Sequence, residues 1–294
     1  MTTIIGVDFS GARSDRNTWL TLGNLTDDGA LLLDGAQSIR RADLYDLLPT
    51  VPTPAVAALD FPFGVPSQFA CFLSPKHRPL DMPTLWRTVA GMSQADFIAA
   101  RNAFVANHGE PKRAGDRKHH PESYSPLHNV NPNMLPMTHA GLQLLHQWHQ
   151  HHPLRWHVPP LPETSPLEPE SSPPPRHSGE SRNPCVTLLE LMPGALLKSL
   201  NLPYKGYKRG QHSTQRRAAI LNGLALNSGI PLPNLDTVRA NSLANDDCLD
   251  SVVAAVGAAM WAQDCVRFRR PQPDELADAR LEGWIYVPLS SPSD

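Results

Sequence analysis

Five carboxylates in this chain stand where side chains from distant segments can meet: Asp8, Asp60, Glu190, Asp247 and Asp250. Three of them close a short aliphatic run, Ile4-Ile5-Gly6-Val7-Asp8, Ala55-Val56-Ala57-Ala58-Leu59-Asp60 and Val186-Thr187-Leu188-Leu189-Glu190. A buried strand ending in an acid delivers that acid to the carboxyl edge of a sheet, where α/β folds gather their chemistry. Asp247 and Asp250 open an apolar stretch of helical length, and a step of about 100° per residue leaves them roughly 60° apart on its surface. Converging carboxylates of this kind make a hard, oxygen-rich site suited to Mg²⁺ or Mn²⁺. Two such ions about 4 Å apart activate a water and stabilise a leaving oxygen, which are the needs of phosphodiester hydrolysis. Asp8, Asp60, Asp247 and Asp250 are the expected metal ligands, and Glu190 joins them in the expected catalytic set. Taken singly, each acid has an ordinary explanation, since Asp favours turns and an acid in a first helical turn stabilises the dipole by ~0.3–1 kcal/mol. Three acids crowded together, Asp246 included, oppose one another unless a cation offsets their repulsion.

A second constellation is cationic. Lys205, Lys208, Arg209, Arg216 and Arg217 interleave with Tyr204 and Tyr207. Positive charge beside stacking surface suits a phosphate backbone or a base, while a solvated face has the same composition. Lys205, Tyr207, Lys208, Arg209 and Arg216 are therefore candidate substrate contacts, as is Ser10 just beyond Asp8. Gly6 and Gly11, which flank Asp8, leave room for backbone or phosphate to approach closely. Residues 108–157 hold ten of the 13 histidines. His146 and His149 could share a helix face and a metal, although exposed histidines of a polar segment are usually unliganded.

The elements that must position these groups are legible in outline. After the first strand, residues 18–25 have strand composition, and Asp27-Asp28-Gly29 is a hairpin turn into residues 30–33. An antiparallel meander is expected to open the fold. A short amphipathic helix over 40–48 stops at Pro49, and Pro62 ends the strand that carries Asp60. Helices are expected over 82–89, over 93–106 with Ser93 as cap, over 140–149 and over 216–226. Residues 112–113 and 117–120 form a basic stretch. Asn245 can cap the late helix, whose residues after Ser251 are apolar on every face and so belong in a core. Residues 284–287 have the composition of a final edge strand.

Composition excludes several classes. Apolar residues make up 40% and charged residues 18% of 294, which suits a soluble globular protein with some irregular segments. The net charge of −2 gives no overall basic field, so a nucleic-acid partner must be held by a local patch. Cys71, Cys185, Cys248 and Cys265 fall at no zinc spacing and form no CxxC pair, which fits free thiols in a reducing cytoplasm. No basic region followed by an apolar core marks a signal peptide, and the longest charge-free apolar run, 252–262, is far short of the ~20 residues of a membrane span. The 31 prolines cluster, with ten between 151 and 184. That composition cannot bury enough apolar surface to offset its ordering entropy, so 151–184 reads as disordered, as a linker or a polyproline docking segment. It forms the end of a Pro- and His-rich insertion over 108–184 in a single domain spanning 1–290.

Gly6-Val7-Asp8, Leu59-Asp60-Phe61-Pro62-Phe63-Gly64, Glu190-Leu191-Met192-Pro193 and Asp247-Cys248-Leu249-Asp250-Ser251 resemble the ribonuclease H-like superfamily, and within it the predicted nucleases called domain of unknown function 429. Asp247 and Asp250 are similar to the paired aspartates that open the last helix of RuvC-like Holliday junction resolvases. The resemblance implies an α/β fold with a mixed five-stranded central sheet, its first three strands antiparallel, and helices on both faces. It also implies divalent-metal nuclease activity on nucleic acid. Gly6-Val7-Asp8-Phe9-Ser10-Gly11 looks as well like the first phosphate loop of the actin, Hsp70 and sugar kinase ATPases, although no second glycine-rich phosphate strand follows. An ATPase or phosphotransferase of that fold, and a non-catalytic binding protein with a degenerate site, are the alternatives.

Overall fold

The computed structural model describes residues 1–11, 17–74, 81–118, 123–129, 132–162 and 185–289. Six strands, β1 (Thr2–Asp8), β2 (Thr18–Leu25), β3 (Leu31–Ile39), β4 (Ala55–Asp60), β5 (Trp156–His157) and β6 (Val186–Glu190), form one mixed sheet in the order β3-β2-β1-β4-β6-β5. The first three strands are the expected antiparallel meander, turned at Gly29 with its φ of 85°. Strands β4, β6 and β5 then add in parallel on the other side of β1.

Side-chain alternation along the strands builds two cores, one on each face of the sheet. Ile5 and Val7 of β1 and Ala57 and Leu59 of β4 face one core, with helices α1 (Arg41–Leu47), α2 (Ser67–Leu73), α3 (Met82–Ala90), α4 (Gln94–His108) and α5 (Met134–His151). Ile4 of β1 and Val56 and Ala58 of β4 face the other, with α6 (Pro193–Ser199), α7 (Ser213–Ser228), α8 (Asp236–Ala244) and α9 (Asp246–Gln263). A last short helix, α10 (Leu276–Glu282), packs Ala279 into this second core.

The late apolar helix is α9, buried from Cys248 to Met260 and capped as expected, with Asn245 Oδ1 accepting from the Cys248 N–H at 2.9 Å. It crosses β1 so closely that a Cβ on Gly6 would lie 2.1 Å from the Ser251 carbonyl oxygen and 2.2 Å from the Ala255 nitrogen. Only glycine permits that approach. Thr21 and Ser251 join hydroxyls at 2.8 Å across the same contact, which fixes α9 along its axis.

Four expectations need correction. The sheet has six strands, not five, because Trp156–His157 adds an edge strand beside β6. That strand lies in the segment expected to be disordered, and there Trp156 is buried against Trp148 at 5.3 Å between ring centroids. A tryptophan supplies in one side chain the apolar area that the proline count hides; residues 163–184 lie outside the described ones. Residues 284–287 form no strand, making an isolated bridge from Ile285 to Glu190 beside another between Phe268 and Pro288. Finally, α5 begins six residues before 140 and fills the core with Leu142, Leu145 and Trp148, so this part of the 108–184 stretch is integral to the fold. Among the described residues all four cysteines are free, and no helix is long and apolar enough to cross a membrane.

Candidate metal centre

Register brings the first two acids together. In the parallel pairing of β1 with β4, Asp8 is directly opposite Asp60. Both continue the alternation of Ile4, Gly6, Val56 and Ala58, so both belong to the face that α9 crosses. Asp250, in the second turn of α9 and 1% exposed, meets them there. One carboxylate oxygen from each of Asp8, Asp60 and Asp250 can be chosen so that all lie within 4.8 Å of one another. Ligands at ~2.0–2.6 Å from a shared ion are separated by about that much, so the spacing fits one hard cation. Among the described residues no other trio of His, Cys, Asp or Glu meets this condition.

The electrostatics mark the site as overcharged. Burial first, then Asp250 and Asp60, hold the Asp8 carboxyl well above the usual carboxylate range. Burial and Asp250 push Asp60 up to about 7. Burial likewise raises Asp250, against the pull of Lys208 and Tyr207. Tyr207, 3% exposed, donates its hydroxyl to Asp250 Oδ1 at 2.9 Å. The Lys208 ammonium lies 2.6 Å from Asp250 Oδ2, and that buried oxygen has no neutral hydrogen-bond donor beside this ionic neighbour. A buried carboxylate oxygen in this condition, beside two further acids, fits a metal ligand.

The remaining expected residues are distributed around this centre. Asp247, half-buried at the start of α9, stands outside the trio but close enough to raise the Asp8 pKa; its own is raised by burial and then by Asp246. Lys205 and Arg209 are exposed, and Arg216 donates to the Lys205 carbonyl at 2.7 Å. Arg217, buried, donates to the Tyr207 carbonyl at 2.8 Å and so braces the segment that carries Tyr207 and Lys208. Ser10 is half-buried, its N–H donating to Thr18 Oγ1 at 3.1 Å. A Cβ on Gly11 would lie 2.0 Å from the Met137 nitrogen, so the space beside this glycine is filled by the backbone of α5 and not left for phosphate.

Glu190 points the other way. It pairs in register with Leu59 and alternates with Leu188, both on the core face opposite to α9. There it is bound by Arg113, whose Nη2 donates to Oε1 at 2.6 Å and whose Nη1 donates to Oε2 at 3.0 Å, and by the Phe63 N–H at 3.0 Å. Arg113 also pairs with Asp116 at 2.9 Å and is 2% exposed, so it belongs to the interior and not to a surface basic stretch. The Asp at i+3 is the one local signal for this. Glu190 therefore anchors the turn that follows Asp60, separate from the trio. His149 packs edge-on against Trp86 at 5.9 Å, and neither it nor His146 joins a metal-binding group among the described residues. Comparison with known family models, with curated proteins and with solved structures finds no match for this chain.

Proposed function

We propose that this chain is a ribonuclease H-like, divalent-metal-dependent nuclease that hydrolyses phosphodiester bonds, with Asp8, Asp60 and Asp250 holding Mg²⁺ or Mn²⁺ and Asp247 at the rim. The observation that carries it is the convergence of three carboxylates within 4.8 Å from elements up to 242 residues apart (250 − 8). Support for the fold family comes from the antiparallel β1–β3 meander, the parallel addition of β4 beside β1, and the acid-bearing helix laid across both. When bound, the metal would supply an activated water and stabilise the leaving oxygen. The chain's own part is positional. Tyr207 and Lys208 orient and partly neutralise Asp250, Glu190 with Arg113 fixes the turn after Asp60, and the Gly6 contact holds α9 to β1.

Mn²⁺ titration by calorimetry tests the reading together with a panel of labelled DNA, RNA and branched junction substrates. Wild type should bind Mn²⁺ and cleave at least one substrate, and Asp8→Asn should lose both properties while remaining folded. Folded, Mn²⁺-loaded wild type that cleaves nothing on the panel overturns it. One observation favours the second reading, a binding protein with a degenerate site: Lys208 already places a cation against Asp250. Failure of wild type to bind Mn²⁺ at all supports that alternative. Against the phosphotransferase alternative stands the α5 backbone, which occupies the space beside Gly11.

A further inference from the structure

Beyond Phe9, on the side of β1 away from Lys208, a cavity of ≈ 720 Å³ opens between α1 and α5. Gln143, Gln147 and His151 recur on one face of α5 at spacings of four residues, as 3.6 residues per turn requires. Arg41 and Tyr45 of α1 and Gln94 at the start of α4 add to the polar lining. The Tyr45 hydroxyl is held to His151 Nδ1 at 2.7 Å, which sets its ring as part of the wall. Phe9 and Gly11 belong to the same lining, so the cavity begins at the residue next to Asp8.

Its chemistry differs from that of the acid site beside it. Among the described residues that line it there is no Asp or Glu, in a protein whose net charge is −2. A lining without carboxylates, and with the Arg41 guanidinium in it, does not repel a polyanion as the acid site does. Three glutamine amides each present a donor and an acceptor side by side, the pattern that pairs with the edge of a base. Those edges are accessible on all sides only in an unpaired strand, where an aromatic wall can also stack a base face. The volume lies within the ~300–1,000 Å³ of sites that enclose small organic groups.

We propose that this groove binds unpaired nucleotides of the substrate strand, with the amides of Gln94, Gln143 and Gln147 on base edges and the Tyr45 ring on a base face. The inference rests on the nuclease reading for its partner, and it adds a single-stranded substrate class and a base-contacting subsite. The test is fluorescence anisotropy of labelled twelve-nucleotide DNA and RNA, single-stranded and duplex, in EDTA so that nothing is cleaved. Wild type should bind a single strand more tightly than the duplex of the same sequence. The double variant Gln143→Leu/Gln147→Leu replaces two helix-compatible side chains and should lose about tenfold or more in single-strand affinity. The same variant should keep wild-type thermal unfolding and wild-type Mn²⁺ binding, because neither residue touches the carboxylates. Equal affinity of the double variant and wild type overturns the groove, as does wild-type preference for duplex. A chain that binds Mn²⁺ but shows no groove-dependent strand binding retains the metal reading and loses this one. Groove-dependent binding without Mn²⁺ affinity does the reverse.

Discussion

Asp60 keeps its proton to about pH 7, because burial and the neighbouring Asp250 both disfavour its charged form. An unfolded chain releases the same proton near pH 4. Between those values the folded state binds more protons than the unfolded one, so this group's contribution to stability is fully present below about pH 4 and is lost as pH rises through about 7. Asp60→Asn mimics the neutral form at every pH. In EDTA it should match wild type near pH 4 and exceed it by roughly 1–3 kcal/mol at pH 8, discounted for the solvent that still reaches the carboxyl. Mn²⁺ should reverse the order, since only wild type can bind it tightly. Thermal unfolding across pH with and without Mn²⁺ measures both effects, and an Asp60→Asn protein as destabilised at pH 8 as at pH 4 contradicts the account. Lys208 gives the complementary experiment. Its ammonium offsets part of the acid charge, so Lys208→Met should lower the unfolding temperature in EDTA and tighten Mn²⁺ binding by about tenfold, as removing a competing cation requires. Unchanged Mn²⁺ affinity would mean that Lys208 and the metal do not share the same field.

At the scale of elements, one residue of strand parity separates a metal ligand from an anchor. Strands β4 and β6 both end in an acid, but Glu190 pairs with Leu59 while Asp60 pairs with Asp8, which turns the two side chains to opposite faces of the sheet. The consequence is that Glu190 is neutralised by a protein cation, Arg113, in the interior. Removing Arg113 leaves Glu190 and Asp116 buried without their counter-charge, so Arg113→Met should cost about 3–5 kcal/mol. Glu190→Gln keeps the shape and leaves Arg113 its bond to Asp116, so its cost should be smaller, about 1–3 kcal/mol. Denaturant unfolding gives both values. Neither variant should change Mn²⁺ affinity by more than a few fold in the folded protein, and loss of Mn²⁺ binding in Glu190→Gln would return Glu190 to the metal shell. The strand-end acids themselves are legible in the sequence because short aliphatic runs closed by Asp or Glu are a local pattern. Their facing is not, because it depends on register between segments 127 residues apart, as for the Phe63–Glu190 bond.

Across the whole molecule, the parts that sequence reading reaches are those with local cause: the meander and its glycine turn, the Ser93 and Asn245 caps, and the apolar α9 that had to be buried. The parts it misses depend on distant partners. Arg113 resembles any solvated cation until Glu190 arrives from 77 residues away, and the two residues of β5 are too short for any periodicity. The glutamines of the groove carry no motif: Gln143 and Gln147 share a face of α5 by their spacing, but Gln94 of α4 joins them only once α4 and α5 are packed. With a net charge of −2 there is no global attraction for a nucleic acid, and among the described residues the exposed cations of the segment that carries Lys208 are few: Lys205 and Arg209, with Lys208 committed to Asp250 and Arg216 to the Lys205 carbonyl. Each phosphate neutralised contributes a slope of about −0.7 to −0.9 in log K against log salt, so two or three contacts predict a total slope of only about −1.4 to −2.7. Lys205→Ala/Arg209→Ala should flatten that slope by about one to two and weaken all sequences alike, whereas the groove variants should weaken affinity and leave the slope in place. Anisotropy titrations at several salt concentrations distinguish the two classes. A wild-type slope steeper than about −5 would require a basic surface that the described residues near the site do not provide.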